Sequence, residues 1–403
     1  MGLESRHAAH APGRFVLGHV RAVVGGRIVD DARLVVRDGV IEEVGPHPAG
    51  RGADVDGAGL LCLPGLVDVH NDRLVRACRP RPGASVPADL AFQAVEAELL
   101  GAGITTAYHG VAFQARSAVG IPIESPTAGA VYETIQAATT GGAGHGAPPR
   151  MDHRILHRLD IRCPSGVAEL AGRLDPAREA WPPPLISHED HTPGQGQYAD
   201  PGTMRRWLVE AEEMSAEQAA SHVERLRVER DTQLHTRDAA LDWLGGLAGR
   251  GRIRLAGHDP ATEDEVDALV RRHGSVAEFP TTPEAAERAR ELGLHVVAGA
   301  PNVVLGRSHS GNVSAARLVE AGWVTALTSD YLPSALLAAG TELVRNGLAT
   351  LPAAVALLTA GPADAAGLND RGRLAPGLRA DVVLADVSGR WPVVRCALPA
   401  AIP

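Results

Sequence analysis

Between residues 66 and 330 the chain repeats one alternation, and that alternation restricts the fold more than anything else in it. A short β-prone apolar run ends in a polar cluster, and a helical stretch usually follows. The runs lie near residues 66, 104, 157, 185, 253, 276, 295 and 324. Helical periodicity is read over 87–100, 205–230, 238–247, 283–292, 313–321, 334–346 and 352–366, while 114–150, rich in Gly, Ala and Pro, receives no assignment. Eight β/α units over roughly 300 residues predict an α/β fold of the (β/α)8 barrel type. The two ends differ from this middle. Val16–Val44 is a series of β-branched runs broken by Gly-Gly, Asp-Asp and Asp-Gly, and Gly372–Asp386 is β-rich again. Such ends predict one small β-sandwich domain built from both termini, 15–64 plus 367–395, beside a hydrolase barrel at 65–366.

A barrel of this kind carries its chemistry at the C-terminal ends of the strands. The polar clusters fall there. The first run, Leu66–Val69, stops at His70-Asn71-Asp72, whose His and Asp project to one side of an extended chain. Arg162 follows the third run, His188-Glu189-Asp190-His191 the fourth and His258-Asp259 the fifth. Glu278 and Thr281 follow the sixth, Asn302, Arg307 and His309 the seventh, and Ser329-Asp330 the eighth. Any one of these histidines alone is more often a satisfied structural group than a ligand. Three His and two Asp at strand ends fit a divalent cation.

Charge narrows the partners. With 39 Lys and Arg against 48 Asp and Glu, the net charge of −9 argues against nucleic-acid binding through bulk positive charge. A phosphorylated small molecule would need a local basic cluster. Arg79 and Arg81 could give bidentate contacts, although a solvated face is as good an account of either alone. The loop Gly299–Gly311, with Asn302, Arg307, Ser308 and Ser310, could offer backbone N–H groups to a polyphosphate. The four cysteines form no C-x-x-C pair and read as reduced thiols, which points to the cytoplasm. No apolar run reaches membrane-spanning length, so no membrane association is expected. The sequence leaves a homo-oligomer open.

Seven segments together carry a resemblance: VDVHND (67–72), PRPG (80–83), EDHTPGQGQY (189–198), GHDPAT (257–262), AEFPTT (277–282), GAPNVVLGRSHSGNVSA (299–315) and TSDYLPSALL (328–337). With GRLAPGLRADVVLAD (372–386), they resemble the amidohydrolase superfamily. Within it they resemble the family of the carbon–phosphorus lyase pathway that hydrolyses α-D-ribose 1-methylphosphonate 5-triphosphate. The resemblance implies metal ligands at His70, Asp72, His191 and His258, holding one or two divalent ions, Zn²⁺ foremost. It implies that Asp330 orients or deprotonates the attacking water. It implies that substrate is held by Arg79, Arg81, Arg162, Asn302, Arg307 and His309, and that the triphosphate is cut between its α and β phosphorus to release pyrophosphate. The chain departs from the family where an R-C/Y-E segment would supply a Glu near the metals. Here the run is Asp160-Ile161-Arg162-Cys163-Pro164, leaving Asp160, Glu189 or Asp190 as substitutes. A cyclic amide or amino-heterocycle hydrolase, and a non-catalytic barrel relative, are the alternative readings.

Overall fold

The computed structural model describes residues 13–81, 83–114, 116–121, 127–140, 148–174, 181–308 and 311–400. The N-terminal segment forms β1 (Arg14–Val24), β2 (Arg27–Arg37), β3 (Val40–Pro46), β4 (Val55–Asp56) and β5 (Leu61–Pro64). The first two hairpins turn where the sequence signals: Gly25-Gly26 and Asp38-Gly39 all take positive φ, between 50° and 77°, as a two-residue turn matched to strand twist requires.

The next eight strands make the barrel: β6 (Leu66–Asn71), β7 (Ile104–Ala112), β8 (Asp152–Asp160), β9 (Leu185–Glu189), β10 (Arg254–His258), β11 (Val276–Glu278), β12 (His295–Gly299) and β13 (Ala326–Thr328). They lie in sequence order and every paired neighbour is parallel. The interior is filled by Val67, Val69, Tyr108, Leu156, Leu185, Val276, Val297 and Ala326. Burying each larger aliphatic group is worth about 1.5–3 kcal/mol. The seam between β13 and β6 closes beside the polar clusters. Asn71 bridges Asp330, the Asp330 N–H donates to His70 O at 3.0 Å, and the Asp72 N–H donates to Asp330 O at 2.8 Å. Fully buried Asp68 accepts from Thr328 Oγ1 (2.5 Å), Ser329 N (2.9 Å), Ser329 Oγ (2.5 Å) and Asn71 Nδ2 (2.9 Å), pinning the first strand to the last.

The chain ends in β14 (Val382–Asp386) and β15 (Val393–Leu398). β14 pairs antiparallel with β5, so both termini share one seven-stranded mixed sheet ordered β15-β14-β5-β1-β2-β3, with β4 on β1. Its core includes Phe15, Leu17, Leu34, Ile41, Val382 and Leu384. All four cysteines are free. Among the described residues no helix is long and apolar enough to cross a membrane.

Two helices differ from the sequence reading. The long helix expected over 205–230 is two, Pro201–Ala211 and Ala216–Asp231. Glu213 takes a φ of 54° between them, and Ser215 opens the second with a capping box to Gln218. The helix expected over 352–366 breaks at Thr359 into Leu351–Leu358 and Ala360–Ala366. There Gly361 abuts the carbonyl of Thr325, and a Cβ would lie 1.8 Å from that oxygen. Three further helices, Thr127–Thr140, Pro164–Arg173 and Glu263–Arg271, complete the outer layer where periodicity assigned none.

Candidate metal centre

The C-terminal strand ends surround a cavity of about 440 Å³. At its floor His70, Asp72 and Asp330 form one set of donors and Glu189, His191 and His258 a second, in each of which the ligand atoms lie within 4.8 Å of one another, and a third grouping, His70, His258 and Glu278, joins the two. The four ligands implied by the resemblance are thus divided, two to each set.

Glu278, at the end of β11, links the sets. Its Oε1 takes the Nδ1 side of His70 at 2.8 Å and its Oε2 the Nδ1 side of His258 at 2.7 Å, with Ser187 Oγ donating to Oε2 at 2.6 Å. Nδ1 of both rings is therefore bonded to one buried carboxylate. Nε2 of each faces other acids, 3.6 Å from Asp72 Oδ1 for His70 and 3.5 Å from Asp259 Oδ2 for His258. A carboxylate on the far nitrogen is what fixes the tautomer and orientation of a metal-ligating histidine. Burial opposes ionisation of Glu278, but the two imidazoles outweigh it and hold the carboxyl well below its usual range.

Arg158, on β8, crosses between the two sets. Its Nη1 donates to Asp72 at 3.0 and 2.9 Å, and its Nε and Nη2 donate to Glu189 Oε2 at 3.1 and 2.8 Å. Burial works against the Glu189 carboxylate, yet Arg158, with His191 and His258, brings it down to about 2. Asp72 is lowered as well, burial being overcome by Arg158 and His70. Asp330 moves the other way, raised by burial and by the neighbouring charge of Asp72.

The residues fit a cation on three counts. Five carboxylates, Asp72, Glu189, Asp259, Glu278 and Asp330, meet here. Three buried donor atoms, Glu189 Oε1, His191 Nε2 and Asp259 Oδ2, have no hydrogen-bond partner. Imidazole with carboxylate is the donor set of a borderline divalent ion. The backbone is strained at the same place. Asp259, Phe279 and Asp330, each just past a strand, take φ of 54°, 53° and 54°, a costly conformation for non-glycine residues that tends to gather at functional sites.

The carboxylate question raised by Pro164 is resolved by position. Asp160 is bound by both terminal nitrogens of Arg230 at 2.7 Å, and Asp190 pairs with Arg162 at 2.8 Å. Glu189 alone of the three faces the centre with an unbonded oxygen.

The expected substrate contacts are placed differently. Arg162 is buried and committed to Asp190, Asp231 and the carbonyl of Arg230, so it turns away from the cavity. Arg79, Arg81 and Arg307 are not among the cavity's lining residues. The short helix Arg73–Ala77 presents Arg76 to it instead, with the Arg76 guanidinium 5.8 Å from the centre of the Tyr331 ring. Asn302 lines the cavity, but its amide holds the following loop, accepting from Ala315 N at 2.9 Å. His309 lies outside the described residues. Glu189 was one of three substitute carboxylates in the sequence reading, while Glu278, Arg158 and Arg76 received no role there. Position after a strand was the available signal for the two glutamates, and Arg158 and Arg76 had none.

The fold and the centre define a hydrolase of the amidohydrolase superfamily. A triazine hydrolase variant superposes with a TM-score of 0.58 at 16% identity, covering 94% of this chain and 88% of its own. N-isopropylammelide isopropylaminohydrolase from Burkholderia multivorans gives 0.59 at 20%, covering 96% and 97%. No family model matches the sequence. Among curated proteins, alpha-D-ribose 1-methylphosphonate 5-triphosphate diphosphatase of Escherichia coli is 33% identical over 375 residues, 92% of this chain and 94% of that protein. The chain belongs to that enzyme's family. Imidazolonepropionase of Deinococcus deserti is 24% identical over 381 residues, 90% of this chain and 87% of that one.

Proposed function

We propose that the protein hydrolyses the 5-triphosphate of a ribose carrying a phosphonate at C1, cutting between the α and β phosphorus to give a 5-phosphate and pyrophosphate. What carries the reading is the 33% identity to the Escherichia coli diphosphatase across 92% of the chain, together with the buried His and carboxylate centre at the cavity floor. Residues of the two donor sets would hold one or two divalent ions, Zn²⁺ foremost, which would polarise a phosphoryl oxygen and acidify water.

The side chains then have distinct tasks. Glu278 keeps His70 and His258 turned with Nε2 toward the centre. Asp330, held at the seam by backbone bonds to His70 and Asp72, takes the proton of the attacking water. Arg76 at the cavity wall meets the charge that builds on the leaving pyrophosphate.

A second reading, hydrolysis of a cyclic amide or amino-heterocycle, is favoured by the aromatic lining of Tyr198, Trp207, Phe279 and Tyr331. The position of isotope tests the first reading. In ¹⁸O-water, phosphorus NMR should find the label on the 5-phosphate and none in pyrophosphate. Label in pyrophosphate, or orthophosphate as first product, would overturn the cut assigned here.

A further inference from the structure

We propose that Arg158 stands in for one of two cations, so that the centre binds a single divalent ion tightly, at Glu189, His191 and His258 with Asp259. The inference rests on the metal-hydrolase reading above and concerns how this chain's own residues divide the charge. The two donor sets are not equally open. On one side Glu189 Oε1, His191 Nε2 and Asp259 Oδ2 are buried without hydrogen-bond partners, and Asp259 Oδ2 lies 3.5 and 3.8 Å from the Nε2 atoms of His258 and His191. Three donors, Glu189, His191 and His258, thus converge within 4.8 Å of one another, with Asp259 Oδ2 beside the two imidazoles. On the other side both oxygens of Asp72 are within 3.0 Å of Arg158 Nη1, so that carboxylate is already neutralised.

Arg158 reaches this place because the strand beside it makes room. A Cβ on Gly110 of β7 would lie 2.5 Å from Asp72 Oδ1 and 3.1 Å from Arg158 Cδ. The guanidinium also takes only Oε2 of Glu189, which leaves Oε1 for a metal. It therefore orients Glu189 while occupying Asp72. A second ion enters at His70, Asp72 and Asp330 only by displacing it.

Manganese provides the probe, read as metal content and spin state and not as turnover. Stripped protein is reloaded with Mn²⁺ and dialysed. The wild type should retain about one equivalent per chain, with the electron paramagnetic resonance spectrum of an isolated ion. Arg158→Met should retain about two, with the spectrum of a coupled pair. Gly110→Ala, which crowds the Asp72–Arg158 pair, should raise retention of the second ion over wild type if the first variant does not fold. Two tightly held, coupled ions in the wild type, with hydrolysis intact, would overturn the arginine assignment alone. No Mn²⁺ retained and no hydrolysis with any divalent ion would overturn the metal reading and this proposal together.

Discussion

Replacing Glu278 by Gln changes no volume to speak of but removes an acceptor that two histidines share. The carboxylate faces His70 Nδ1 at 2.8 Å and His258 Nδ1 at 2.7 Å through different oxygens. An amide offers one oxygen and one NH₂, so one imidazole meets a donor where it had an acceptor. That ring must move its proton to Nε2, the nitrogen that faces the centre, and it can then no longer bind a cation. Losing the carboxylate behind a ligand histidine typically costs 10- to 100-fold in metal affinity, or about 1.4–2.7 kcal/mol. Competition with a chromophoric chelator should show that loss in Glu278→Gln, with circular dichroism unchanged. Affinity within about twofold of wild type would refute the reasoning, because it would mean that the Nδ1 bonds do not govern the ligand nitrogens.

Three further outcomes are expected. Asp330→Asn should lower kcat by about 10²-fold or more with KM little changed, and a matched loss of substrate binding in the variant would instead make Asp330 a substrate ligand. Gly361→Ala should cost about 1–3 kcal/mol in urea unfolding, since its Cβ would meet the Thr325 carbonyl at 1.8 Å; an unchanged midpoint would contradict that contact. Burial works against the charge on Glu96, but His153 and Arg150 bring its carboxyl down to about 2 from an ordinary 4.5. A lowered folded value contributes stability above 4.5 that fades as pH falls toward 2, so the deficit of Glu96→Gln at pH 7 should shrink across that window; a constant deficit would exclude the charge as its cause.

The strands were legible because parallel barrel strands are buried on both faces and read as short apolar runs, as Val296–Ala298 does. The candidate site residues were legible by position: His70, Asp72, His191, His258 and Asp330 all stand at or just past the end of such a run. What the sequence hid depends on closure. Glu278 stands 208 residues from His70, and no local pattern says that the barrel will bring them to 2.8 Å. Arg79 and Arg81 formed the conspicuous basic cluster, yet the turn after Arg73–Ala77 carries them past the cavity and leaves Arg76 there. Arg162 looked available only because its partners Asp190 and Asp231 come from later segments. The split of the 205–230 helix was readable in part, since Ser215 with Gln218 three residues on is a capping-box pattern.

The most direct test of the account is a product comparison on one metal-loaded preparation, with a ribose 1-phosphonate 5-triphosphate offered beside a hydantoin and a dihydropyrimidine. The expected result is pyrophosphate released in equal amount to ribose 5-phosphate product, with no ring opening of the amides. Ring opening without pyrophosphate would contradict the assignment and give the centre to amide hydrolysis.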